Sequence, residues 1–214
     1  MANHSSAVAH QFDDAEQQFE ASSLGMWVFL LTEVMFFGGL FIGYIVYRTA
    51  YPEAWAEGSN TLDVMLGGMN TAVLICSSLT MALAVHAAQT GNRKLIILFL
   101  VLTIVFGAVF LGVKAVEYSH KFHEHHVPGP SFQFEGEHSQ AAQLFFSFYF
   151  AMTGVHAVHM IIGIGYLLLL IYQAWKGLFT ADYFTPVEMF GLYWHFVDII
   201  WIFLYPLLYL VGRH

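Results

Sequence analysis

Residues 95–118 read LIILFLVLTIVFGAVFLGVKAVEY, an uninterrupted apolar run whose only charged residues are Lys114 and Glu117. About 20 residues of α-helix cross a bilayer core, so this run is long enough to span it. Within lipid every backbone polar group has to be bonded inside its own segment, which a helix achieves and a lone strand does not. The run therefore predicts a transmembrane helix.

Four further runs of this kind occur along the chain, each bounded by polar residues, glycine or proline. Together they predict an all-α fold, a polytopic membrane helix bundle with five transmembrane helices at about residues 24–47, 64–88, 95–118, 143–175 and 187–211. Most connections are short, which favours antiparallel neighbours. We find no internal repeat, so residues 24–214 are expected to form a single five-helix membrane domain.

The composition agrees with a membrane protein. Of 214 residues, 58% are hydrophobic and only 10% are charged, too few to cover a water-soluble surface. A net charge of -8 without a basic run argues against nucleic acid as a partner, and a single cysteine excludes a disulfide framework within the chain. Residues 1–23 form an acidic leader without the features of a cleaved signal. Phe12, Ala15 and Phe19 share a helical face there, which predicts a short helix at the membrane surface.

Charged residues at membrane depth are the first candidates for function. Glu33 lies well inside the first predicted helix with no Lys or Arg within a turn, so its carboxyl is expected to be protonated or hydrogen-bonded across helices. A functional role and a structural interhelical bond both remain open. Lys114 and Glu117 stand three apart and can pair on one face. A structural pair is expected, with both heads reaching polar surroundings near an interface.

Two histidines lie in the fourth predicted helix, where residues 153–159 read TGVHAVH. His156 and His159 are three positions apart, and Gly163 follows on that face to admit a neighbouring helix. A closed metal site needs further ligands, and haem between helices usually takes one histidine from each, so hydrogen bonding is the expected role. The loop 120–126, HKFHEHH, matches no closed metal site and is expected to be solvated, with adventitious metal binding as the alternative.

The fifth predicted helix contains the run YWHFVDIIW at residues 193–201. Trp194, Asp198, Trp201 and Tyr205 recur there at helical spacing, which predicts a stripe that faces protein and not lipid. His195 lies three residues before Asp198. We expect the imidazole and the carboxylate to bond each other, which would offset the cost of burying them.

These stretches, in this order, resemble subunit III of haem-copper terminal oxidases, in the short five-helix form found in bacteria. The resemblance extends from about Leu24 to Gly212 and rests on six stretches, at residues 24–34, 70–78, 91–94, 117–118, 153–159 and 193–201. Longer members have two additional helices at the N-terminus. Glu33 matches the intramembrane glutamate of the family.

The resemblance implies membership of a proton-pumping cytochrome c oxidase in the aerobic respiratory chain. Subunit I of such a complex holds the haems and one copper, and subunit II holds a dinuclear copper. This chain is then expected to have no catalytic residue, no metal and no redox cofactor of its own. Its implied work is to contact subunit I directly, to keep proton uptake fast, and to protect the oxygen site during turnover.

The resemblance also implies bound phospholipid and a location. Lipid would bind between the helices, with His86, Arg93 and Lys176 as candidate contacts. Longer members often have an arginine where this chain has Gln173, and Lys176 is the candidate substitute, though without the bidentate fork of arginine. The implied location is the bacterial inner membrane, with the N-terminus cytoplasmic and the C-terminus outside. Subunit II and a larger respiratory supercomplex are further implied partners.

Other classes of protein share parts of this pattern. The third subunit of a quinol oxidase and a homologue associated with nitric oxide reductase have the same helix pattern. A membrane b-type cytochrome would use His86, His156, His159 and His195 as haem ligands. A small transporter is disfavoured because the broken helices expected at a midplane binding site are not evident.

Overall fold

The computed structural model describes residues 11–130, 132–134 and 138–212. The described residues form six α-helices and no extended strand, in the order α1 (Ala15–Ala50), α2 (Pro52–Asn60), α3 (Val64–Gln89), α4 (Arg93–His123), α5 (Ser139–Trp175) and α6 (Thr185–Tyr209). All of these except α2 are long and apolar enough to cross a membrane. The predicted all-α fold with five transmembrane helices is confirmed.

The first helix begins earlier than predicted. Asp14 caps it, because its Oδ1 accepts a hydrogen bond of 2.8 Å from the backbone N–H of Gln17. No glycine or proline interrupts the chain between Ala15 and Leu24, and α1 runs unbroken into the first span. The prediction of a separate surface helix is therefore wrong from Ala15 onwards. Residues 1–10 of the leader lie outside the described residues.

A short helix that the sequence reasoning missed, α2, lies between the first two spans. Pro52 occupies its first turn, where the missing N–H loses no helical hydrogen bond. Trp55 is fully buried, with its ring centroid 5.9 Å from that of Phe145 on α5. The helix thus packs on the end of the bundle where α1 finishes, with Trp55 as its largest buried side chain.

The central helix of the bundle is α6, which packs against α1, α2, α3 and α5. Two indole groups tie it to α3: Nε1 of Trp194 donates to Oγ of Ser77 at 3.0 Å, and Nε1 of Trp201 donates to Oγ1 of Thr71 at 3.1 Å. Both tryptophans are fully buried and Asp198 is nearly so. The prediction that this stripe faces protein is confirmed.

Glycines let α4 and α5 approach the Trp194 ring. A Cβ atom at Gly163 would stand 2.8 Å from Cζ3 of that ring, and one at Gly107 would stand 3.2 Å from Cη2. Both distances are shorter than ordinary van der Waals contact. The predicted close approach at Gly163 is confirmed, and Trp194 joins α3, α4 and α5 to α6.

Candidate functional site

Glu33 on α1 and His159 on α5 meet inside the bundle. Oε2 of Glu33 lies 3.1 Å from Nε2 of His159, and the two side chains are only 18% and 15% exposed. Nδ1 of His159 bonds the backbone carbonyl of Val155 at 2.8 Å. A carbonyl can only accept, so Nδ1 carries its hydrogen and one proton has to lie between Nε2 and Oε2. The predicted hydrogen bond of Glu33 across helices is confirmed.

The pair can hold this proton in two ways. Either a neutral imidazole accepts it from a carboxylic acid, or an imidazolium donates it to a carboxylate. The ring is held by the bond of Nδ1 to the Val155 carbonyl and by the Phe37 ring, whose centroid lies 5.3 Å away. The geometry therefore suits holding or passing a proton between two defined atoms.

A groove of about 660 Å³ leads to this pair between α1, α5 and α6. One face of α1 forms a wall of it, from Gln18 through Ser22, Met26 and Phe29 to Glu33. At 1.5 Å per residue this wall is about 22 Å long. The groove thus connects the N-terminal end of the bundle with an ionisable pair deep in the membrane, and its walls are mostly apolar.

Lys114 and Glu117 lie in a second buried polar cluster, with Tyr149 of α5 and Tyr209 of α6. Nζ of Lys114 donates to Oε2 of Glu117 at 2.9 Å and to the two tyrosine oxygens at 3.0 and 2.9 Å. Both hydroxyls in turn donate to Oε1 of Glu117, at 2.8 Å from Tyr149 and 2.5 Å from Tyr209. The predicted pairing of Lys114 with Glu117 is confirmed.

The predicted surroundings of this pair are wrong. Lys114 is 3% exposed and Glu117 6%, so neither head extends to an interface. The tyrosine hydroxyls replace water as their polar neighbours, which removes the need to extend. Nothing in the sequence marked Tyr149 or Tyr209, because both are far from the pair along the chain and tyrosine is common throughout it.

The expected hydrogen-bonding role holds for His159 and fails for His156. His156 is fully buried, and both of its ring nitrogens lack a hydrogen-bond partner among the residues that the structure describes. Its ring packs instead between Phe110 and Trp201, with centroids 5.3 and 5.4 Å away. The physical reason is that aromatic side chains of α4 and α6 surround this position and leave room for ring packing only.

The expected bond between His195 and Asp198 is also wrong. Nδ1 of His195 lies 2.7 Å from Oγ of Ser78 on α3, and in the described part of the chain both carboxyl oxygens of Asp198 lack a partner with hydrogen-bond geometry. Ser78 is a neighbour of the carboxyl group as well. A neighbouring helix thus supplies the partner of His195, which spacing along one helix cannot reveal.

The candidate lipid contacts lie at the end of the bundle where α1 begins. All three residues, His86, Arg93 and Lys176, are exposed, and none of them lines the groove between α1, α5 and α6. Nη1 of Arg93 lies 3.8 Å from where a Cβ of Gly177 would stand, next to Lys176 in the chain. Nζ of Lys176 lies 4.5 Å from the centre of the Tyr172 ring. The fold therefore brings Arg93, at the start of α4, close to the loop that follows Lys176.

The histidines of the b-type cytochrome alternative do not fit a haem. His159 and His195 each bond a side chain of another helix, His156 is enclosed by aromatic rings, and His86 is exposed. Among the described residues no group of three His, Cys, Asp or Glu side chains is placed to share a metal ion.

Comparison with known proteins matches residues 9–213 to the family of cytochrome c oxidase subunit III. The chain is 30% identical to subunit 3 of the cytochrome bo(3) ubiquinol oxidase of Pseudomonas aeruginosa, over 96% of this chain and 92% of that protein. It is 31% identical to cytochrome c oxidase subunit 3 of Thermostichus vulcanus, over 98% and 96%. It is 34% identical to cytochrome c oxidase subunit 3 of Coturnix japonica, over 88% and 69%.

Proposed function

The chain belongs to the family of cytochrome c oxidase subunit III, and on this premise we propose that it sustains proton uptake by its oxidase without a redox centre of its own. It is a multi-pass membrane protein and subunit III of a haem-copper respiratory oxidase, in association with the other subunits of that complex. Oxygen reduction and proton pumping take place, in this proposal, in the neighbouring subunits.

The pairing of Glu33 with His159 is the observation that carries the proposal. One proton lies between the Glu33 carboxyl and Nε2 of His159, because Nδ1 of the same ring already carries the hydrogen that it donates to the Val155 carbonyl. The groove provides a path to the pair from the end of the bundle where α1 begins. In this proposal the pair holds protons near the uptake path of the catalytic subunit.

The same groove is proposed to hold phospholipid. Its walls are mostly apolar and, at about 22 Å, longer than one leaflet of a bilayer core about 30 Å thick, which leaves room for an acyl chain. Arg93 and Lys176 are exposed at that end of the bundle and would contact the phosphate, since cations attract anionic headgroups there. His86 would contribute a further polar contact.

The location and the partners complete the proposal. We place the chain in a bacterial inner membrane with the N-terminus cytoplasmic, so that the groove opens on the side from which protons are taken up. Subunit I is the proposed direct partner, with subunit II in the same complex, and a larger respiratory supercomplex is a further proposed association.

The electron donor is proposed to be cytochrome c, with quinol as the second candidate. The family description and the Thermostichus vulcanus protein favour the first, while the Pseudomonas aeruginosa protein, a ubiquinol oxidase subunit, favours the second. The deciding observation is whether the copurified subunit II holds a dinuclear copper. An alternative identity for the chain is a homologue associated with nitric oxide reductase. Turnover of nitric oxide by the purified complex would reveal it.

Purification in mild detergent tests the proposed function. We expect haem- and copper-containing subunits to accompany the chain, and reduced-minus-oxidised spectra to show haem in the complex. The separated chain is expected to be spectrally silent. Haem retained by the separated chain would overturn the proposal that this subunit has no redox centre.

A further inference from the structure

A second cavity lies between α3 and α6, on a different face of α6 from the Glu33 groove. It has a volume of about 380 Å³, and its polar lining consists of Ser78, His195 and Asp198 within otherwise apolar walls. None of these three groups belongs to the pair proposed to hold protons. The cavity therefore needs an explanation of its own.

Asp198 is the unusual member of this cavity. It is 3% exposed, and among the described residues neither of its carboxyl oxygens has a partner at hydrogen-bond distance and angle. The neighbouring Ser78 hydroxyl has one hydrogen and lies 2.7 Å from Nδ1 of His195. One hydroxyl hydrogen can serve only one acceptor, so this trio leaves at least one carboxyl oxygen unsatisfied. Such a group inside a membrane is a strong indication of a missing partner.

The depth of Asp198 restricts what that partner can be. It lies about 20 Å from the start of α6 and about 17 Å from its end, at 1.5 Å per residue. It is thus close to the middle of a hydrocarbon core about 30 Å thick, beyond the reach of a phospholipid headgroup. A protein helix, in contrast, can present a polar side chain at this depth.

The surface around the cavity suits a helix. Ile75 and Leu79 of α3 and Ile199 and Ile202 of α6 line it and are 46–60% exposed, so they form an apolar border. Ala82 of α3 lines the same cavity and is exposed, and a small side chain lets a second backbone approach closely. A carboxyl group without a partner is complementary to a hydrogen-bond donor or a cation.

We propose that this α3–α6 cavity is the docking site for a transmembrane helix of a neighbouring oxidase subunit, which donates a hydrogen bond to Asp198 at mid-membrane depth. The inference rests on the proposed function, because it requires that the chain is assembled in an oxidase complex. It goes further by assigning one face and one residue to that assembly.

Photo-cross-linking in the whole complex tests this face. A benzoylphenylalanine replaces Leu79 beside the cavity or, as a matched control, the similarly exposed Ile161 on α5. We expect Leu79 to cross-link to another oxidase subunit and Ile161 not to do so. A cross-link from Leu79 to a second copy of this chain, or to lipid only, would overturn the inference. If the core subunits copurify but the cross-link forms only from Ile161, the inference is overturned and the proposed function stands. If no core subunit copurifies, the proposed function fails as well.

Variants of Asp198 test the hydrogen bond itself. Asp198→Leu is expected to weaken retention of the partner subunit by roughly three- to thirty-fold, the range for one interhelical hydrogen bond in a membrane. Asp198→Asn keeps an accepting oxygen and is expected to retain more of the partner. The thermal midpoint of the separated chain shows whether either variant disturbs its own fold. Unchanged retention in both variants would contradict the proposed bond.

Discussion

Glu33 and His159 are 126 positions apart in the chain, yet Oε2 of the first lies 3.1 Å from Nε2 of the second. The bond joins the first transmembrane helix to the fourth, and it is the only polar contact of the Glu33 side chain seen among the described residues. It lies at the inner end of the long groove between α1, α5 and α6. Changes at this pair therefore report on both the packing of α1 and the proposed handling of protons.

Replacing Glu33 by Gln separates these two roles. The amide can still hydrogen-bond His159, so we expect normal assembly, but it cannot release a proton. Oxygen consumption and proton uptake are expected to slow, most of all at alkaline pH, where protons are scarce. Oxygen-electrode and proton-pumping measurements check this, with Glu20→Gln as a matched change of an exposed carboxylate on the same helix. Unchanged activity and pumping in an assembled complex would leave packing as the role of the pair.

The buried cluster around Lys114 makes a prediction about stability. Lys114→Met leaves the Glu117 carboxylate buried without its cation and is expected to cost about 3–5 kcal/mol. The double variant Lys114→Met with Glu117→Leu removes both charges and should recover a large part of that loss. Unfolding of the purified chain by denaturing detergent measures all three proteins. A double variant that is less stable than Lys114→Met would contradict this account.

Close packing at Gly163 gives a matched pair of substitutions. Gly163→Ala places a methyl group 2.8 Å from the Trp194 ring and is expected to destabilise the chain by about 1–3 kcal/mol. Gly165→Ala, two residues on in the same helix, meets no described atom within 4 Å and is expected to be neutral or slightly stabilising. Thermal unfolding of the two variants distinguishes them, and equal effects would disprove the packing argument.

Residues 122–130, at the end of α4 and beyond it, are expected to pack less tightly on the bundle in acid. Burial, followed by the charge of Lys121, lowers the pKa of His126 below its usual value of 6.5. Burial alone would raise the pKa of Glu124, but Lys121 and His126 together hold that pKa below 4.5. Both groups therefore bind fewer protons when this segment is packed on the bundle than when it is released. Its packing weakens as pH falls, first below about 6.5 for His126 and again below about 4.5 for Glu124.

Hydrogen exchange of residues 122–130 as a function of pH measures this loosening. His126→Phe should remove the step near pH 6.5, because a phenyl ring does not titrate. The packing should remain, because the ring that is replaced lies 5.0 Å from the ring of Phe146. The step near pH 4.5 should remain in this variant, because Glu124 keeps its ion pair with Lys121 at 2.7 Å. Exchange that is independent of pH between 7 and 4, after correction for the intrinsic rate, would rule out this account.

Bound lipid is expected to depend on two exposed cations. Replacing Arg93 and Lys176 together by Gln should reduce the anionic phospholipid that remains with the purified complex. Lys94→Gln, next to Arg93 and also exposed, is the matched control and should retain the lipid. Mass spectrometry of the extracted lipids gives the amounts, and an equal loss from both proteins would speak against a specific site.

The sequence predicts some features of this protein and not others, for physical reasons. Transmembrane helices follow from apolar length alone, so all five spans are predicted correctly. α2 has only nine residues and packs on the bundle through Trp55 and its neighbours, and no local pattern indicates this packing. Pairs within one helix turn are only partly predictable. Lys114 does bond Glu117, whereas His195 bonds Ser78 of another helix in place of Asp198.

Contacts between distant helices are the part that the sequence leaves open. Glu33 was expected to find a partner across helices, but nothing in the pattern indicated His159. His156 and His159 look alike in the sequence, yet one is enclosed by aromatic rings and the other bonds a carboxyl group. Side-chain direction and the identity of the facing helix decide such roles, and both depend on the tertiary structure.

The central position of α6 has a consequence for biosynthesis. Ribosomes deliver this helix to the membrane after the other four spans, yet it supplies partners for polar groups of α3 and α4, through Trp194, Trp201 and Tyr209. Until it arrives, Ser77, Thr71 and Glu117 each lack a bond that they have in the finished bundle. A nascent chain that stalls before residue 185 would therefore display unsatisfied polar groups within the bilayer, which membrane chaperones and quality-control proteases can recognise.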